Sequence, residues 1–310
     1  MQSYKRDSVA TIIAGDGHTL SGDLANLLLR DVRGRDAEWL CEERALDIKL
    51  GALSYEDELL TRMKLSESVG LYCDFLVQPS AGRGKKVYAF DVESTVVKQE
   101  FSNVMAELIG VKDQVDPITD DAMHNRIDFD TSVRLRSRYF AGQSVELFDR
   151  AAQGMTLMPG AKVVCDTTKA LFNSRIILVS GGFNPFASLA GHRLGAHEVY
   201  ANTYEIQDGV LTGGVIEPIL GPFTKLEILG HEARRLGISL SQFSFTGDGG
   251  NDRIALTGVQ AAGGLGLAFG KKTVWDTVDI PRLKHYSSLA GLLYFSGVRR
   301  DQFVINAAPR

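Results

Sequence analysis

The chain contains 310 residues, of which 34 are basic and 38 acidic, and its formal net charge is −4 at pH 7. Hydrophobic residues make up 44% and charged residues 23%, which is the composition of a globular protein and excludes a disordered chain. The near balance of charge predicts no nucleic-acid partner and no attraction to an anionic membrane. The length suggests two domains, at about 150 residues each.

The cysteines and the apolar runs bear on location. Cys41, Cys73 and Cys165 are widely spaced and form no C-x-x-C pair. Such a sparse, odd set is typical of reduced thiols and not of a disulfide framework or a zinc site. No apolar run reaches the roughly 18 residues of a membrane span, and the first residues lack the apolar region of a signal peptide. We therefore expect a cytoplasmic protein.

The first part of the chain alternates between strand-like and helix-like patterns. Short apolar runs predict strands at 9–14, 45–50 and 70–77. Apolar residues at helical spacing predict helices at 21–32 and 54–66, while the segment near Trp39 has no clear assignment. This order suits a ferredoxin-like α+β domain over residues 1–80. The basic segment 78–86, with a proline and two glycines, is predicted to be a linker.

The pattern changes after residue 86 to that of a doubly wound, mostly parallel α/β sheet. Buried strands are predicted at 87–92, 175–179, 197–201, 243–246 and 265–269. Residues 96–156 have no strong strand signal and contain helical stretches at 101–110, 119–125 and 130–140. We therefore expect a second domain over residues 81–310 with an inserted helical cap at about 97–156.

Three of the predicted strands end in polar clusters. These read D-V-E-S-T at 91–95, S-G-G at 180–182 and G-D-G-G-N-D at 247–252. Each cluster alone is ordinary, because a strand-end aspartate often only caps a helix and S-G-G or G-D-G is common in turns. Ligands of open α/β sheets bind beyond the carboxyl ends of the strands, so the three clusters together predict one shared crevice.

The residue types in these clusters suit phosphoryl transfer. The Asp91 carboxylate can attack phosphorus and form an aspartyl-phosphate. Glu93 is expected on the same side of the extended segment as Asp91, where it can transfer a proton to the leaving group. Asp248 and Asp252 offer the hard oxygen ligands that Mg²⁺ prefers.

Phosphate oxygens also need hydrogen-bond donors and positive charge. Ser180 and glycine N–H groups at the start of a helix can supply the donors. A lysine is expected nearby to neutralise charge, and Lys225 in G-P-F-T-K is the candidate.

The region from about 86 to 297 resembles the haloacid dehalogenase-like hydrolases and, within them, the phosphoserine phosphatases. The first motif of that family is D-x-D-S-T, and the matching segment here is D-V-E-S-T. The other matching segments are S-G-G-F at 180–183, A-N-T-Y-E-I-Q-D-G-V-L-T-G at 201–213, A-M…D-F…S-V-R-L-R at 122–136 and G-D-G-x-N-D at 247–252. Residues 1–77 resemble the N-terminal extension of bacterial members.

The resemblance implies Mg²⁺-dependent hydrolysis of O-phosphoserine to serine and phosphate. It implies that Asp91 is the nucleophile and that Glu93 is the general acid and base. Mg²⁺ would be held by Asp91, the backbone carbonyl of Glu93 and Asp248, with Asp252 in close support. The implied phosphate contacts are Ser180, Gly181, Lys225 and Asn251.

The resemblance also assigns substrate contacts to the inserted helices, which would close over the site and exclude water. Glu100 would pair with the substrate amine, and Arg136 would bind the substrate carboxylate through a bidentate contact. Met123 and Phe129 would line the pocket beside them. From the residues alone, a solvated helix face is the favoured interpretation of the two charged side chains, and the two apolar ones fit the core at least as well as the pocket.

Glu93 departs from the family, which has Asp at this position. The extra methylene moves the carboxyl by about 1 Å, and a misplacement of that size can cost on the order of 10²-fold in rate. Two alternatives therefore stay open beside phosphoserine hydrolysis. One is the same chemistry on another small phosphate ester, and the other is a weakly active regulator that binds phosphoserine or serine. The ligand of the N-terminal domain is open, and a homodimer is favoured as the assembly.

Overall fold

A computed structural model describes residues 5–123 and 126–305, apart from the side chain of Met123. Two β-sheets organise this part of the chain, one with four strands and one with seven. Among the helices in these ranges, none has both the length and the apolar character needed to cross a membrane.

The four-stranded sheet belongs to the first part of the chain. The elements there are β1 (Arg6–Ala14), α1 (Gly22–Asp31), β2 (Asp36–Cys41), β3 (Ala45–Leu53), α2 (Tyr55–Val69) and β4 (Cys73–Pro79). The strand order is β2-β3-β1-β4, and every pair is antiparallel. This β-α-β-β-α-β order is the one expected of a ferredoxin-like unit. The segment near Trp39, which has no clear assignment from sequence, forms edge strand β2.

Local side-chain chemistry sets where α2 begins. The Ser54 hydroxyl accepts the N–H of Asp57, and the Asp57 carboxylate accepts the N–H of Ser54, so the two form a capping box. The buried face of α2 carries Leu65 and Val69. The apolar residues that predicted this helix lie on its other side, and the exposed fractions are 77% for Tyr55, 43% for Leu59, 56% for Leu60 and 53% for Met63.

The predicted linker at 78–86 begins two residues too early, because β4 continues to Pro79, and the segment that follows is held by polar contacts to both parts of the chain. The Arg83 guanidinium donates to the Asp47 carboxylate at 2.5 Å and to the carbonyl of Tyr294 at 2.9 Å. The buried carboxylate of Asp74, on β4, accepts three backbone N–H groups from residues 284–286 at 2.8–3.0 Å. The predicted linker therefore carries specific polar contacts, while the boundary at residue 80 stays a prediction.

The inserted helices follow the first strand of the second sheet, β5 (Val87–Phe90). They are α3 (Phe101–Leu108), α4 (Lys112–Met123), α5 (Phe129–Arg138) and α6 (Glu146–Ala152). The helical insertion is confirmed. The helix predicted at 119–125 begins earlier, at Lys112 of α4, which contains Pro117, and positions 124–125 lie outside the described residues.

The seven-stranded sheet is mostly parallel, as predicted. Its remaining strands are β6 (Arg175–Phe183), β7 (Glu198–Gln207), β8 (Val210–Ile216), β9 (Phe243–Gly247), β10 (Leu265–Phe269) and β11 (Arg282–Leu283). The order is β11-β10-β9-β5-β6-β7-β8, and the β7–β8 pair alone is antiparallel among them. The strand predicted at 197–201 corresponds to the first half of β7, and β8 is not predicted from the sequence. Backbone bonds of 2.8 Å between Leu211 of β8 and residues 142–143 attach the inserted helices to this hairpin.

Helices cover both faces of this sheet. They are α7 (Ala161–Phe172), α8 (Asn184–Leu194), α9 (Pro222–Leu236), α10 (Arg253–Ala261) and α11 (Gly291–Phe295). Tyr88 and Phe90 of β5 point into one apolar core, and Val87 and Ala89 point into the other. Because β5 is buried on both faces, the polar residues that follow it emerge only at the edge of the sheet.

Candidate active site

The three polar clusters lie side by side at the carboxyl edge of the sheet. Strand β5 lies between β9 and β6, so the strands that precede the three clusters are direct neighbours. The N–H of Asp91 donates to the carbonyl of Thr246 at 2.9 Å, which continues the β5–β9 pairing to the start of the first cluster. The three clusters therefore converge at one edge of the sheet, while the ligand crevice between them stays a prediction.

Three carboxylates and one lysine lie close together where the clusters meet. Asp91, Asp248 and Asp252 are buried, and one oxygen from each lies within 4.8 Å of the others. Lys225, in the first turns of α9, is 1% exposed. Its Nζ donates to Asp91 Oδ1 at 2.7 Å and to Asp252 Oδ1 at 2.6 Å. The structure therefore brings these four predicted site residues into one cluster.

The electrostatics of this cluster fit a divalent cation. Burial, together with the charges of Asp252 and Asp248, raises the pKa of Asp91 to about 8 against the opposing effect of Lys225. Burial also raises the pKa of Asp248 to about 6. For Lys225, burial lowers the pKa, but the two carboxylates it contacts outweigh that effect and the net shift is upward. When ionised, the three buried carboxylates carry more negative charge than Lys225 can neutralise. A hard cation would therefore stabilise their ionised forms.

A tight turn carries the chain from β5 towards the inserted helices. The carbonyl of Val92 accepts N–H groups from Thr95, Val96 and Val97 at 2.9–3.3 Å. Ser94 has a φ of 55°, in the left-handed region that non-glycine residues adopt at a cost. The Thr95 hydroxyl then donates to Asp248 Oδ1 at 3.3 Å. The turn therefore links the first cluster to the third through a side chain.

Glu93 projects from this turn into the space between α3 and β6. Its Oε1 accepts the N–H of Phe101 at 3.1 Å. A Cβ on Gly182 would lie only 3.0 Å from the Glu93 carboxyl, so the absence of a side chain there makes room for the longer acid. Burial and the charge of Glu100 raise the Glu93 pKa well above its usual range, although the Phe101 N–H and Arg136 oppose them. Burial and the neighbouring negative charge thus favour the protonated, uncharged form of Glu93.

The predicted amine-binding carboxylate lies close to the same turn. Glu100 Oε1 accepts the hydroxyl of Ser94 at 2.6 Å, and Glu100 directly precedes α3. Met123, the predicted pocket residue on the next helix, ends α4, and its side chain lies outside the described residues.

Arg136 is the inward-facing member of three alternating arginines on α5. Arg134 and Arg138 are exposed, whereas Arg136 is half-buried. Its guanidinium donates to the hydroxyl of Ser102 at 3.1 Å and to the carbonyl of Ser132 at 3.3 Å. The guanidinium thus faces α3 and is electrostatically coupled to Glu93.

The remaining predicted residues meet at the end of β6. A Cβ on Gly181 would lie 2.6 Å from the ring of Phe129 and 3.5 Å from Asn251 Nδ2, so these side chains lie against the glycine backbone. Ser180 is buried, and its hydroxyl accepts the N–H of Gly182 at 3.0 Å. Phe129, at the start of α5, therefore lies where the inserted helices meet the end of β6.

Two further residues support the site without having been selected from sequence. The buried Asn202 donates to the carbonyl of Gly181 at 2.8 Å and accepts the N–H of Leu220 at 2.6 Å, so it connects the end of β6 to the segment before α9. Lys272 forms an ion pair with Asp248. Asn202 lies in the A-N-T-Y stretch, and Lys272 lies in the segment G-K-K at 270–272. The sequence alone does not show that Asn202 is buried or that Lys272 pairs with Asp248.

Comparison with known proteins places the chain in a family. Residues 89–257 match the haloacid dehalogenase-like hydrolase family. The chain is 30% identical over 251 residues to a probable phosphoserine phosphatase of Schizosaccharomyces pombe, an alignment that covers 80% of this chain and 82% of that protein. It is 36% identical over 222 residues to phosphoserine phosphatase SerB2 of Mycobacterium tuberculosis, covering 72% of this chain and 53% of that protein. The chain belongs to the haloacid dehalogenase-like hydrolases.

Solved structures show the same likeness. A haloacid dehalogenase family hydrolase of Salmonella enterica aligns with a TM-score of 0.78 at 26% identity and covers 95% of this chain and 99% of its own. A substrate-bound phosphoserine phosphatase aligns with a TM-score of 0.61 at 30% identity and covers 68% of this chain and 98% of its own. Members of this family use a divalent metal ion, and the three buried carboxylates are suited to hold one.

Proposed function

We propose that this protein hydrolyses O-phosphoserine to serine and phosphate through an aspartyl-phosphate on Asp91. The observation that carries the proposal is the contact between the Asp91 carboxylate at the end of the central strand and the buried Lys225, beside two further carboxylates. The similarity to proteins named phosphoserine phosphatase supports phosphoserine as the substrate.

We also propose a cytoplasmic location. The free thiols of Cys41, Cys73 and Cys165 support it, because cytoplasmic proteins keep their cysteines reduced.

In the first step, a carboxylate oxygen of Asp91 bonds to phosphorus while the bond from phosphorus to the serine oxygen breaks. The departing serine oxygen takes a proton from Glu93, whose pKa is raised by burial so that its protonated form is favoured. Lys225 contacts the nucleophile directly and can also balance charge on the phosphoryl oxygens.

In the second step, the deprotonated Glu93 takes a proton from water as the water oxygen bonds to phosphorus. The bond from Asp91 to phosphorus breaks, phosphate leaves and both side chains return to their starting forms. Ser180, the backbone N–H of Gly181 and the amide of Asn251 would donate hydrogen bonds to the phosphoryl oxygens.

We propose Mg²⁺ as the metal ion, held by Asp91, the backbone carbonyl of Glu93 and Asp248, with Asp252 in support. A bound Mg²⁺ would supply positive charge that stabilises the phosphoryl oxygens and keeps nearby carboxylates ionised. Burial of the three aspartates, with raised pKa values for Asp91 and Asp248, supports such a site.

Recognition of the serine part is assigned to the inserted helices. Arg136 would bind the substrate carboxylate and Glu100 the substrate amine, while Phe129 and Met123 would complete the pocket. Two observations support this assignment. Arg136 is half-buried, and the charges of Glu100 and Arg136 act on the Glu93 pKa in opposite directions, so both groups lie near the residue that transfers the proton.

The test is phosphate release from a panel of small phosphate esters with added Mg²⁺, comparing the wild type with Asp91→Asn. We expect the highest turnover on phosphoserine and none in the variant. Higher turnover on esters that lack an amine and a carboxylate would favour another substrate, and binding of phosphoserine without turnover would favour a regulator.

A further inference from the structure

We propose that Lys272 is a positioning residue that holds the carboxylate of Asp248 in the orientation needed to bind the divalent cation. This inference rests on the proposed function in one respect, because it takes Asp248 as a metal ligand.

The two lysines at the site contact different carboxylates. Lys225 donates to Asp91 and Asp252. Asp248 is contacted instead by Lys272, whose Nζ pairs with Oδ2, while the Thr95 hydroxyl donates to Oδ1 at 3.3 Å. Both oxygens of Asp248 therefore have a donor from the chain, and the two donors fix the plane of a carboxylate whose side chain is only 8% exposed.

The loop that carries Lys272 is attached to Asp248 a second time. The indole N–H of Trp275 donates to the backbone carbonyl of Asp248 at 2.9 Å, and Trp275 is 3% exposed. The loop therefore contacts both the main chain and the side chain of Asp248.

The base of the loop is also held in place. Arg282, on β11, donates to the carbonyl of Gly270 at 2.8 Å and to the carbonyl of Lys272 at 2.7 Å, and it pairs with Asp276 at 2.8 Å. The N–H of Gly270 donates to the carbonyl of Leu283 at 2.8 Å. These bonds limit the positions that the Lys272 backbone can adopt, so the reach of its side chain towards Asp248 is set by the fold.

Positioning and simple charge repulsion predict opposite results when Lys272 is removed. A neighbouring ammonium repels a metal cation, so its loss alone would tighten cation binding. Loss of a group that orients a ligand weakens metal binding by about 10- to 100-fold. The direction of the change therefore separates the two effects.

The experiment measures Mg²⁺ binding to the full-length protein by calorimetry without substrate, for the wild type, Lys272→Met and Lys272→Arg. We expect Lys272→Met to raise the Mg²⁺ Kd about 10- to 100-fold and Lys272→Arg to restore most of the affinity. The concentration of Mg²⁺ that gives half-maximal phosphatase activity should rise in parallel, with kcat at saturating Mg²⁺ much less affected.

Lys271→Met is the matched control, because it removes the same charge from an exposed neighbouring residue. Its Kd should equal that of the wild type. An unchanged or lower Kd in Lys272→Met would overturn the inference, as would a wild type that binds no Mg²⁺. A wild type that binds Mg²⁺ but does not hydrolyse phosphoserine would reject the proposed function, while the calorimetric comparison would still decide the role of Lys272.

Discussion

Replacement of Arg136 by alanine tests how the protein recognises its substrate. The guanidinium faces the interior of the inserted helices, where it donates to Ser102 and to the carbonyl of Ser132. Alanine removes these donors but keeps the helix, since it has the highest helix propensity. The carboxylate of bound phosphoserine would then lose its cationic partner.

The size of the effect follows from the chemistry of that contact. A hydrogen bond to a charged group contributes about 1.5–3 kcal/mol, which corresponds to a loss of about 10- to 150-fold in kcat/KM. If the contact is equal in the ground and transition states, the loss falls on KM and leaves kcat largely unchanged.

The assay compares kcat/KM for phosphoserine and for O-phosphoethanolamine, which keeps the phosphate and the amine but lacks the carboxylate. We expect Arg136→Ala to lower the value for phosphoserine and to leave the value for O-phosphoethanolamine nearly unchanged. Arg138→Ala, at an exposed position two residues further along α5, is the matched control. Equal losses on the two substrates would refute the assignment of Arg136 to the carboxylate.

Three further predictions concern the acid, the charge cluster and the contact between the sheets. Glu93→Asp should raise turnover on phosphoserine in steady-state assays. An unchanged or lower rate would mean that the pocket, including the bond from the Phe101 N–H, is already adapted to the longer acid. Without metal, the melting temperature should fall as pH rises from about 4 to 8, because the folded-state pKa of Asp91 is raised from 3.8 to about 8 and the folded state keeps this proton longer. Asp91→Asn should flatten this fall, and a steeper fall would contradict the assignment. Asp74→Asn should lower the free energy of unfolding in urea by about 2 kcal/mol through its three N–H contacts. The exposed control Asp279→Asn should cost less than about 1 kcal/mol, and equal losses would contradict the role given to Asp74.

The main features of the sheet could be predicted because buried parallel strands have a strong sequence signature. The run V-Y-A-F of β5 is apolar on both faces, and the polar residues after it mark the strand end. The same reasoning located β6 and β9, and parallel neighbours bring such ends to one edge. The convergence of the three clusters therefore follows from the sequence pattern.

Edge strands and exposed helix faces were harder to predict. Strand β8 reads V-L-T-G-G-V-I, and its adjacent glycines weaken the strand signal. Strand β2 reads D-A-E-W-L-C and is half-exposed, so it lacks a continuous apolar run. The apolar spacing of α2 indicated a helix correctly, but periodicity does not show which face is covered, and Leu59 and Met63 are exposed.

Contacts between different elements of the fold could not be predicted from the sequence motifs. The motif D-V-E-S-T shows that Glu93 replaces the usual aspartate, but not that the Phe101 N–H and the Gly182 backbone bracket its carboxyl. Similarly, the pairing of Lys272 with Asp248 depends on the register of β10 and β11 and on the loop that joins them. Such distances are set by packing, so residue type alone does not provide them.

The most direct test of the account is detection of the phosphorylated Asp91. Rapid quenching of the protein with phosphoserine and Mg²⁺, followed by mass spectrometry of its peptides, should show one added phosphoryl group on the peptide that contains Asp91. Asp91→Asn should show neither this group nor phosphate release. Phosphate release by the Asp91→Asn variant at the wild-type rate, or a phosphoryl group on a different residue, would contradict the central claim.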